Sequence, residues 1–356
     1  MVLLERKRVL WADYAKFIAI YLVVLGHADL SPGNFRNFIY LFHLPLFFLI
    51  SGYFDNSSKY TFKPFLFRNF KLLVVPYLCF NLINIPFSWT SIWLHPELYP
   101  NIDTAGKLLI CPLIGILLGD DSVTSFSYLP CGPLWFLIAL FFIKICFYFL
   151  HKFSCLLKNN FVTIIYWSML FLLTVCLFLY FRNLPHLYSL DSAFLSMPFY
   201  MVGFLMKKIN FPIMYDNKIV SCTISFLIFL YIQLFGLSNG LVDIDAGVYG
   251  NNLIMFYLNG LLGSYLVLVL CGLLTKPFKI VQDIGANTIV ILGIHMITLR
   301  IVKFFMSYGL DIPISSMDIN QSVVVSIVTL VLCFPFVSLV NRYAPWMVGK
   351  NSNEGK

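Results

Sequence analysis

The sequence predicts an all-α integral membrane protein, a polytopic bundle of about ten transmembrane helices with both termini in the cytoplasm. Of the 356 residues, 60% are hydrophobic and only 11% are charged, whereas an average soluble domain has roughly 25% charged residues. Since each span needs about 20 apolar residues, about ten spans and their loops use up the chain. We therefore expect one transmembrane domain over residues 1–350 and a short polar tail at 351–356.

Apolar stretches bounded by charged residues, Pro, Gly or Asn mark the expected spans. They lie at approximately 11–30, 37–54, 72–94, 132–151, 161–181, 190–206, 219–238, 252–274, 285–305 and 321–341. The first stretch resembles a signal peptide, but Asp13 and Lys16 interrupt it and no small-residue cleavage site follows Leu30, so we interpret it as a retained helix. A further stretch at 107–119 is too short to cross the membrane and predicts a re-entrant or interfacial helix.

The positions of the 24 Lys and Arg residues test this map. With the N-terminus inside, 17 of them fall in cytoplasmic segments and five in outer segments and the adjoining helix ends, while Lys16 and Lys144 lie within helices. This asymmetry agrees with the positive-inside rule. It also explains the net charge of +8 without a nucleic-acid partner.

Two segments are expected to face outward. The longer, 95–131, carries Asp103, Asp120 and Asp121, and the shorter, 239–251, carries Asp243 and Asp245.

Three ionisable residues lie on the first span, namely Asp13, Lys16 and His27. At about 100° per residue, Lys16 and His27 share one helix face about 16 Å apart along the axis, and Asp13 lies within about 40° of His27. Because ionisable groups are costly in lipid, this face predicts a polar stripe that points into the bundle. Alternatively, Asp13 and Lys16 extend to the interface and His27 is an interfacial histidine.

Other spans carry further candidates for a site. His43 on the second span lies at a depth similar to that of His27, which indicates a functional pair, although two packed imidazoles would give the same pattern. His295, near the middle of the ninth span, needs a partner or water, which favours a role at a cavity. Trp135, at the start of the fourth span, fits either a sugar site or the interfacial aromatic belt.

Basic residues precede the third span in the sequence RNFK, which contains Arg68 and Lys71. They could hold an anionic ligand by charge-assisted hydrogen bonds, although basic residues at this position are also ordinary topology signals. No serine-nucleophile motif, Walker sequence or metal-ligand cluster is present, and the nine Cys residues are never closer than nine positions. We therefore expect no metal site.

Several segments together resemble the membrane-bound acyltransferase-3 family. WADYAKFIAIYLVVLGH is similar to its first-helix signature, in which a basic residue precedes a histidine. HLPLFFLISGYF resembles its second-helix segment and RNFKLLVVPY its basic entry to the third helix, while GPLWFL and IGANTIVILGIH are similar to its fourth and penultimate spans. The resemblance covers nearly the whole chain in the right order.

The resemblance implies transfer of an acyl group, usually acetyl, from cytoplasmic acyl-CoA to a sugar hydroxyl of a polysaccharide or glycolipid outside. In this sequence His27 takes the position of the reacting histidine, and Lys16, Arg68 and Lys71 take the basic positions. Lys16 and Lys71 stand where the family often has Arg, and Lys cannot reproduce the bidentate guanidinium fork. The likeness is greatest to stand-alone sugar O-acetylases, including fucose O-acetylases, and we expect no fused hydrolase-like domain.

We therefore expect an O-acetyltransferase in a bacterial cytoplasmic membrane, with acyl-CoA, a saccharide acceptor and the lipid bilayer as partners. Its donor is acetyl-CoA, and His27 is either the general base or a transient acyl carrier. The candidate residues are His27 and His43 for catalysis, Lys16, Arg68 and Lys71 for the donor, and Asp13, Trp135 and His295 for the acceptor. A transporter or flippase of lipid-linked saccharides is the alternative, but it would need no thioester site.

The charge asymmetry predicts where reporters fused to the chain will be found. A reporter after Lys350 should be cytoplasmic and one inserted near Asp121 external, because most basic residues lie on one side of the map. A protease-protection assay measures both. Finding both reporters on one side would mean that the 107–119 segment spans the membrane or that another helix is miscounted.

Overall fold

The structure of the protein is a computed structural model, and it describes residues 9–28, 33–94, 96, 102, 104–119, 128–157, 159–182, 189–213, 217–310 and 317–350. Within these residues the secondary structure is helical, and the only β-type pairing is an isolated bridge between Asp243 and Val248. The prediction of an all-α polytopic bundle is confirmed.

The α-helices are numbered here in chain order. They are α1 Leu10–Gly26, α2 Asn34–Tyr40, α3 His43–Tyr53, α4 Phe62–Asn69, α5 Val75–Leu94, α6 Ala105–Leu118, α7 Trp135–Ser154, α8 Asn160–Phe181, α9 Leu190–Lys208, α10 Lys218–Leu234, α11 Leu253–Gly272, α12 Lys279–Ala286, α13 Thr288–Leu310 and α14 Ile319–Tyr343. A π-helical turn, Phe70–Val74, joins α4 to α5, and a 3-10 helix, Pro345–Val348, follows α14.

Each predicted span has a helical counterpart in the described part of the chain. Seven segments are long and apolar enough to cross a membrane, namely Asn34–Lys59, Phe62–Thr90, Gly132–Ser154, Asn160–Phe181, Leu253–Gly272, Thr288–Ser307 and Ile319–Tyr343. The other three predicted spans correspond to α1 and α10, of 17 residues each, and to α9, whose 19 residues include an aspartate and two lysines. The second span is divided, because α2 ends before Leu41 and α3 begins after Phe42.

The short stretch at 107–119 forms α6, which has 14 residues and contains Pro112. This helix packs on α5, where the Tyr77 hydroxyl donates to the carbonyl of Ile116 at 2.9 Å and the Trp89 indole donates to that of Leu108 at 3.1 Å. A helix of this length is too short to cross the bilayer, as expected.

Some predicted features lie outside the described residues. They are Leu30 at the end of the first span, the acidic residues Asp103, Asp120 and Asp121, the basic residues Arg6, Lys7, Arg8, Lys158 and Lys356, and the polar tail at 351–356.

Helix α1 is enclosed by other helices. It packs against α2, α3, α11, α12, α13 and α14, and its small residues Ala15 and Ala19 are completely buried. Small side chains let neighbouring helices approach closely, which is the usual way that transmembrane helices associate. The helix with the predicted polar stripe therefore lies inside the bundle.

Two glycines bring α3 and α9 into backbone contact. A Cβ atom added at Gly52 would overlap the carbonyl oxygen of Tyr200, and one added at Gly203 would overlap that of Leu49. Only glycine fits in this space. The contact fixes the cytoplasmic ends of the two helices side by side.

We predict that Gly52→Ala lowers stability, because the new methyl group would force the backbones of α3 and α9 apart. Overpacking of this kind costs about 1–3 kcal/mol, so the melting temperature of the purified protein in detergent should fall. Gly106→Ala is the matched control, because no atom lies within 4 Å of the added Cβ there. Equal melting temperatures for the two variants would contradict the close contact.

Candidate active site

A cavity of about 230 Å³ extends along α1 inside the bundle. From α1 it is lined by Lys16, Ile20, Val23 and His27, and these positions recur at intervals of four, three and four residues. This spacing is one face of a helix. The structure thus brings Lys16 and His27 to one cavity, with two apolar side chains between them, as the sequence periodicity predicted.

Asp13 does not line the cavity. It is buried in the first turn of α1. Its backbone carbonyl oxygen lies so close to Gly285 of α12 that a Cβ atom added to this glycine would be 2.6 Å from the oxygen. Asp13 lies about 21 Å along the helix axis from His27. The polar stripe therefore separates into two parts, with Asp13 held at the cytoplasmic end against α12.

His43 lines the same cavity as His27. Its ring nitrogen Nδ1 donates to the carbonyl of Ile39 at 3.0 Å, so the other nitrogen, Nε2, carries the lone pair. The Tyr40 ring packs edge-on against it, with the ring centroids 4.9 Å apart. The sequence predicted that His27 and His43 lie at a similar depth. Both residues line the outer part of the cavity.

His295 lies behind His27. The ring centroids are 5.4 Å apart and the rings are tilted by 47°. Nδ1 of His295 donates to the carbonyls of Leu292 at 2.9 Å and Ile291 at 3.1 Å. Its Nε2 is buried and has no hydrogen-bond partner among the described residues. His295 therefore presents an acceptor nitrogen in a buried space beside His27, although it does not itself line the cavity.

Two cations, Lys303 and Arg36, lie near His27. Lys303 of α13 donates to the backbone carbonyl of His27 at 3.4 Å, and the Arg36 guanidinium lies 5.2 Å above the Tyr40 ring. Both cations act electrostatically on the His27 ring. Cations in a desolvated site can stabilise negative charge that develops during acyl transfer.

Trp135 is buried at the start of α7 and lines the cavity beside Pro133. An interfacial-belt tryptophan would face lipid instead.

Asp243 and Asp245, in the loop between α10 and α11, also line the cavity. Sequence reasoning did not include them among the site residues. The loop is held by paired backbone hydrogen bonds of 2.7 Å between Asp243 and Val248. Ser192 of α9 also donates to the carbonyl of Ile244 at 2.8 Å. The sequence indicated only that this segment faces outward. No local signal in the sequence shows that the loop lines the cavity beside His27.

The two basic residues of RNFK lie on the cytoplasmic side but do not line the cavity. Arg68 donates to the Tyr60 hydroxyl at 2.6 Å and stacks on the same ring. Lys71 is exposed in the π-helical turn, whereas Leu73 of that turn does line the cavity. π-Helical turns recur at functional sites.

A polar network at the cytoplasmic end also escaped sequence reasoning. Asp55, just after α3, accepts hydrogen bonds from the hydroxyls of Tyr200 at 2.6 Å and Ser57 at 2.5 Å. Lys144 donates to the Tyr200 oxygen at 3.4 Å, and Ser57 is also bonded to the His151 ring at 2.9 Å. The network ties the loop after α3 to α7 and α9.

Comparison with known proteins identifies the family. The acyltransferase-3 family model, described as an acyltransferase domain, matches residues 9–338. The chain belongs to the acyltransferase-3 family. The match extends from the start of α1 nearly to the end of α14, so the cavity lies within the acyltransferase domain, and the protein is a multi-pass membrane acyltransferase. No curated protein and no solved structure matches the chain.

Proposed function

We propose that this acyltransferase-3 protein is an O-acetyltransferase that moves an acetyl group from cytoplasmic acetyl-CoA to a sugar hydroxyl of a cell-surface polysaccharide or glycolipid. The observation that supports this most is the cavity that contains Lys16 towards its cytoplasmic end and His27 towards its outer end. A donor from one side of a membrane and an acceptor from the other need such a shared space. The expected location is a bacterial cytoplasmic membrane.

The donor enters from the cytoplasm, because its phosphates are charged and cannot cross lipid. Lys16 lies at the cytoplasmic part of the cavity, and Arg68 and Lys71 provide further positive charge on the same side. The long and largely uncharged pantetheine arm then passes Ile20 and Val23. The thioester reaches His27 while the nucleotide stays in water.

His27 is proposed as the catalytic residue. As a general base, its ring takes the proton of the sugar hydroxyl while the sugar oxygen attacks the thioester carbonyl. The tetrahedral intermediate then collapses, the carbon–sulfur bond breaks, and the CoA thiolate takes the proton back from His27. As an acyl carrier, His27 would instead attack the thioester carbonyl, so that the carbon–sulfur bond breaks and CoA thiolate leaves. The sugar oxygen would then attack the acetyl group on His27, the carbon–nitrogen bond would break, and the hydroxyl proton would go to the thiolate. Lys303 and Arg36 would stabilise the oxyanion in both schemes.

The other two histidines have different proposed roles. His43 faces the reacting groups from α3, where it is the second candidate for proton transfer. His295 supports His27 from behind, since its Nε2 can accept a hydrogen bond from the His27 ring and so orient it.

The acceptor sugar is proposed to bind at Trp135, Asp243 and Asp245, which line the cavity together with His27. Aromatic faces pack against the apolar side of a sugar ring, and carboxylates accept hydrogen bonds from its hydroxyls. Asp13 and His295 do not line the cavity, so in this proposal neither contacts the acceptor directly.

Replacement of His27 tests the proposed catalytic role. His27→Gln, which is similar in size, and His27→Ala should each remove roughly two to four orders of magnitude of rate if His27 is the general base. The measurement is acetyl transfer per folded molecule in membranes, so that lower yield is not mistaken for lower activity. A purified His27→Gln protein of near wild-type rate would exclude this role and make His43 or His295 the next candidate.

A double substitution, Arg68→Gln with Lys71→Gln, tests the basic entry to α5. It should raise the apparent KM for acetyl-CoA more than that for the sugar, because removing a charge-assisted hydrogen bond costs about 1.5–3 kcal/mol. Lys59→Gln with Lys63→Gln removes the same charge from the same cytoplasmic segment and serves as the control. An unchanged donor KM in the first variant would make Arg68 and Lys71 topology signals only.

A further inference from the structure

An aromatic cluster lies at the cytoplasmic end of the bundle, where α1 begins and α3 ends. Phe54, directly after α3, has 36% of its side chain exposed. Trp11 of α1 stacks on Phe54 with the ring centroids 5.8 Å apart, and it meets Tyr53 edge-on at 5.1 Å. These three residues form a partly exposed aromatic surface on the side from which a cytoplasmic ligand would approach.

Two lysines from different helices converge on this surface. The ammonium nitrogen of Lys16 lies 5.6 Å from the centroid of the Phe54 ring. That of Lys207, near the end of α9, lies 6.0 Å from both the Phe54 and Tyr53 rings. Ammonium groups attract anions, so lysines from two helices at one aromatic surface are suited to an anionic ligand.

Lys207 is held near Phe54 by contacts that need no ligand. The glycine contact between α3 and α9 fixes the ends of these two helices, and the 2.6 Å hydrogen bond from Tyr200 to Asp55 holds the residue next to Phe54 against α9. The position of Lys207 beside Phe54 therefore follows from the packing of the bundle.

We propose that Trp11, Lys16, Phe54 and Lys207 bind the nucleotide end of the donor, the 3′-phosphorylated ADP portion of acyl-CoA. The adenine packs on the aromatic surface, and the two ammonium groups hold the phosphates. This inference rests on the proposed function, because it takes acyl-CoA as the donor.

The chemistry of the cluster fits this ligand. Purine bases stack on aromatic side chains, and Lys is a common phosphate ligand that acts as a point charge. Lys16 also belongs to the cavity that reaches His27. A nucleotide bound at this mouth would thus leave its pantetheine arm directed into the cavity.

Lys207→Gln tests the site, with Lys208→Gln as the matched control. Both lysines are exposed at the end of α9, but only Lys207 has a ring contact with Phe54 or Tyr53 among the contacts of the described residues. The KM is measured for acetyl-CoA and for S-acetyl-pantetheine, which has the same thioester but lacks the nucleotide. Lys207→Gln should raise the KM for acetyl-CoA about tenfold and leave that for S-acetyl-pantetheine unchanged, and Lys207→Arg should restore the lower value.

Three results would overturn the inference. The first is an equal KM for acetyl-CoA in the Lys207→Gln and Lys208→Gln variants. The second is an equal rise in the KM for acetyl-CoA and for S-acetyl-pantetheine in Lys207→Gln. The third is that Lys207→Gln changes only the binding of the protein to vesicles of anionic lipid. The last result would assign the cluster to a lipid headgroup. A wild-type protein that transfers acetyl from neither donor would instead refute the proposed function.

A second pair of variants tests the aromatic part of the site. Phe54→Leu should weaken competitive inhibition by adenosine 3′,5′-bisphosphate about tenfold, whereas Phe67→Leu, at an exposed phenylalanine on α4, should not. Equal inhibition constants in these variants would show that the ring makes no contact with adenine and would overturn that assignment.

Discussion

Ionisable side chains cannot face the hydrocarbon of a bilayer at low cost, and α1 with its C-terminal cap carries three of them. The arrangement of the bundle follows from this constraint. Six other helices contact α1, and the small side chains of Ala15 and Ala19 allow close approach on its packed faces. The face with Lys16 and His27 is left beside a cavity instead of lipid. The candidate site is therefore formed around the first transmembrane helix.

The two ends of the cavity are made in different ways. At the cytoplasmic end, glycine contacts join α3 to α9, while Asp55 and Ser57 tie the loop after α3 to α9 and α7, respectively. At the outer end, a loop with an isolated β-bridge holds Asp243 and Asp245 over the cavity, supported by Ser192. Cations concentrate around His27 from α13 and α2. The polar groups at each end of the cavity thus come from segments that are distant in the sequence.

Local patterns in the sequence predicted the features that depend on one helix. Hydropathy located the spans, and the helical period placed Lys16 and His27 on one face because both residues belong to the same straight helix. The same arithmetic placed Asp13 near that face, but packing against Gly285 of α12 keeps it outside the cavity lining. Periodicity describes direction around an axis and contains no information about which neighbour occupies that direction.

Features that depend on contacts between distant segments could not be predicted in this way. The ring of His295 lies behind His27 although the two residues are far apart in the sequence, and Lys207 reaches Phe54 only because Gly52 and Gly203 permit backbone contact. The sequence identifies Lys207 only as a topology signal, since a basic residue at a cytoplasmic helix end satisfies the positive-inside rule whatever else it does. The family resemblance, in contrast, depends on short local motifs and is confirmed by the match over residues 9–338.

The apolar section of the cavity has a consequence for the membrane as a barrier. Ile20 and Val23 separate Lys16 from His27, and Leu140 of α7 contributes to the same lining. A proton or metal ion that moves from one aqueous side to the other would have to lose its hydration in this section, and hydrophobic constrictions in channels stop conduction by excluding water. A thin organic chain meets no such obstacle. An apolar section of this kind lets a thioester arm pass while it opposes the leakage of ions.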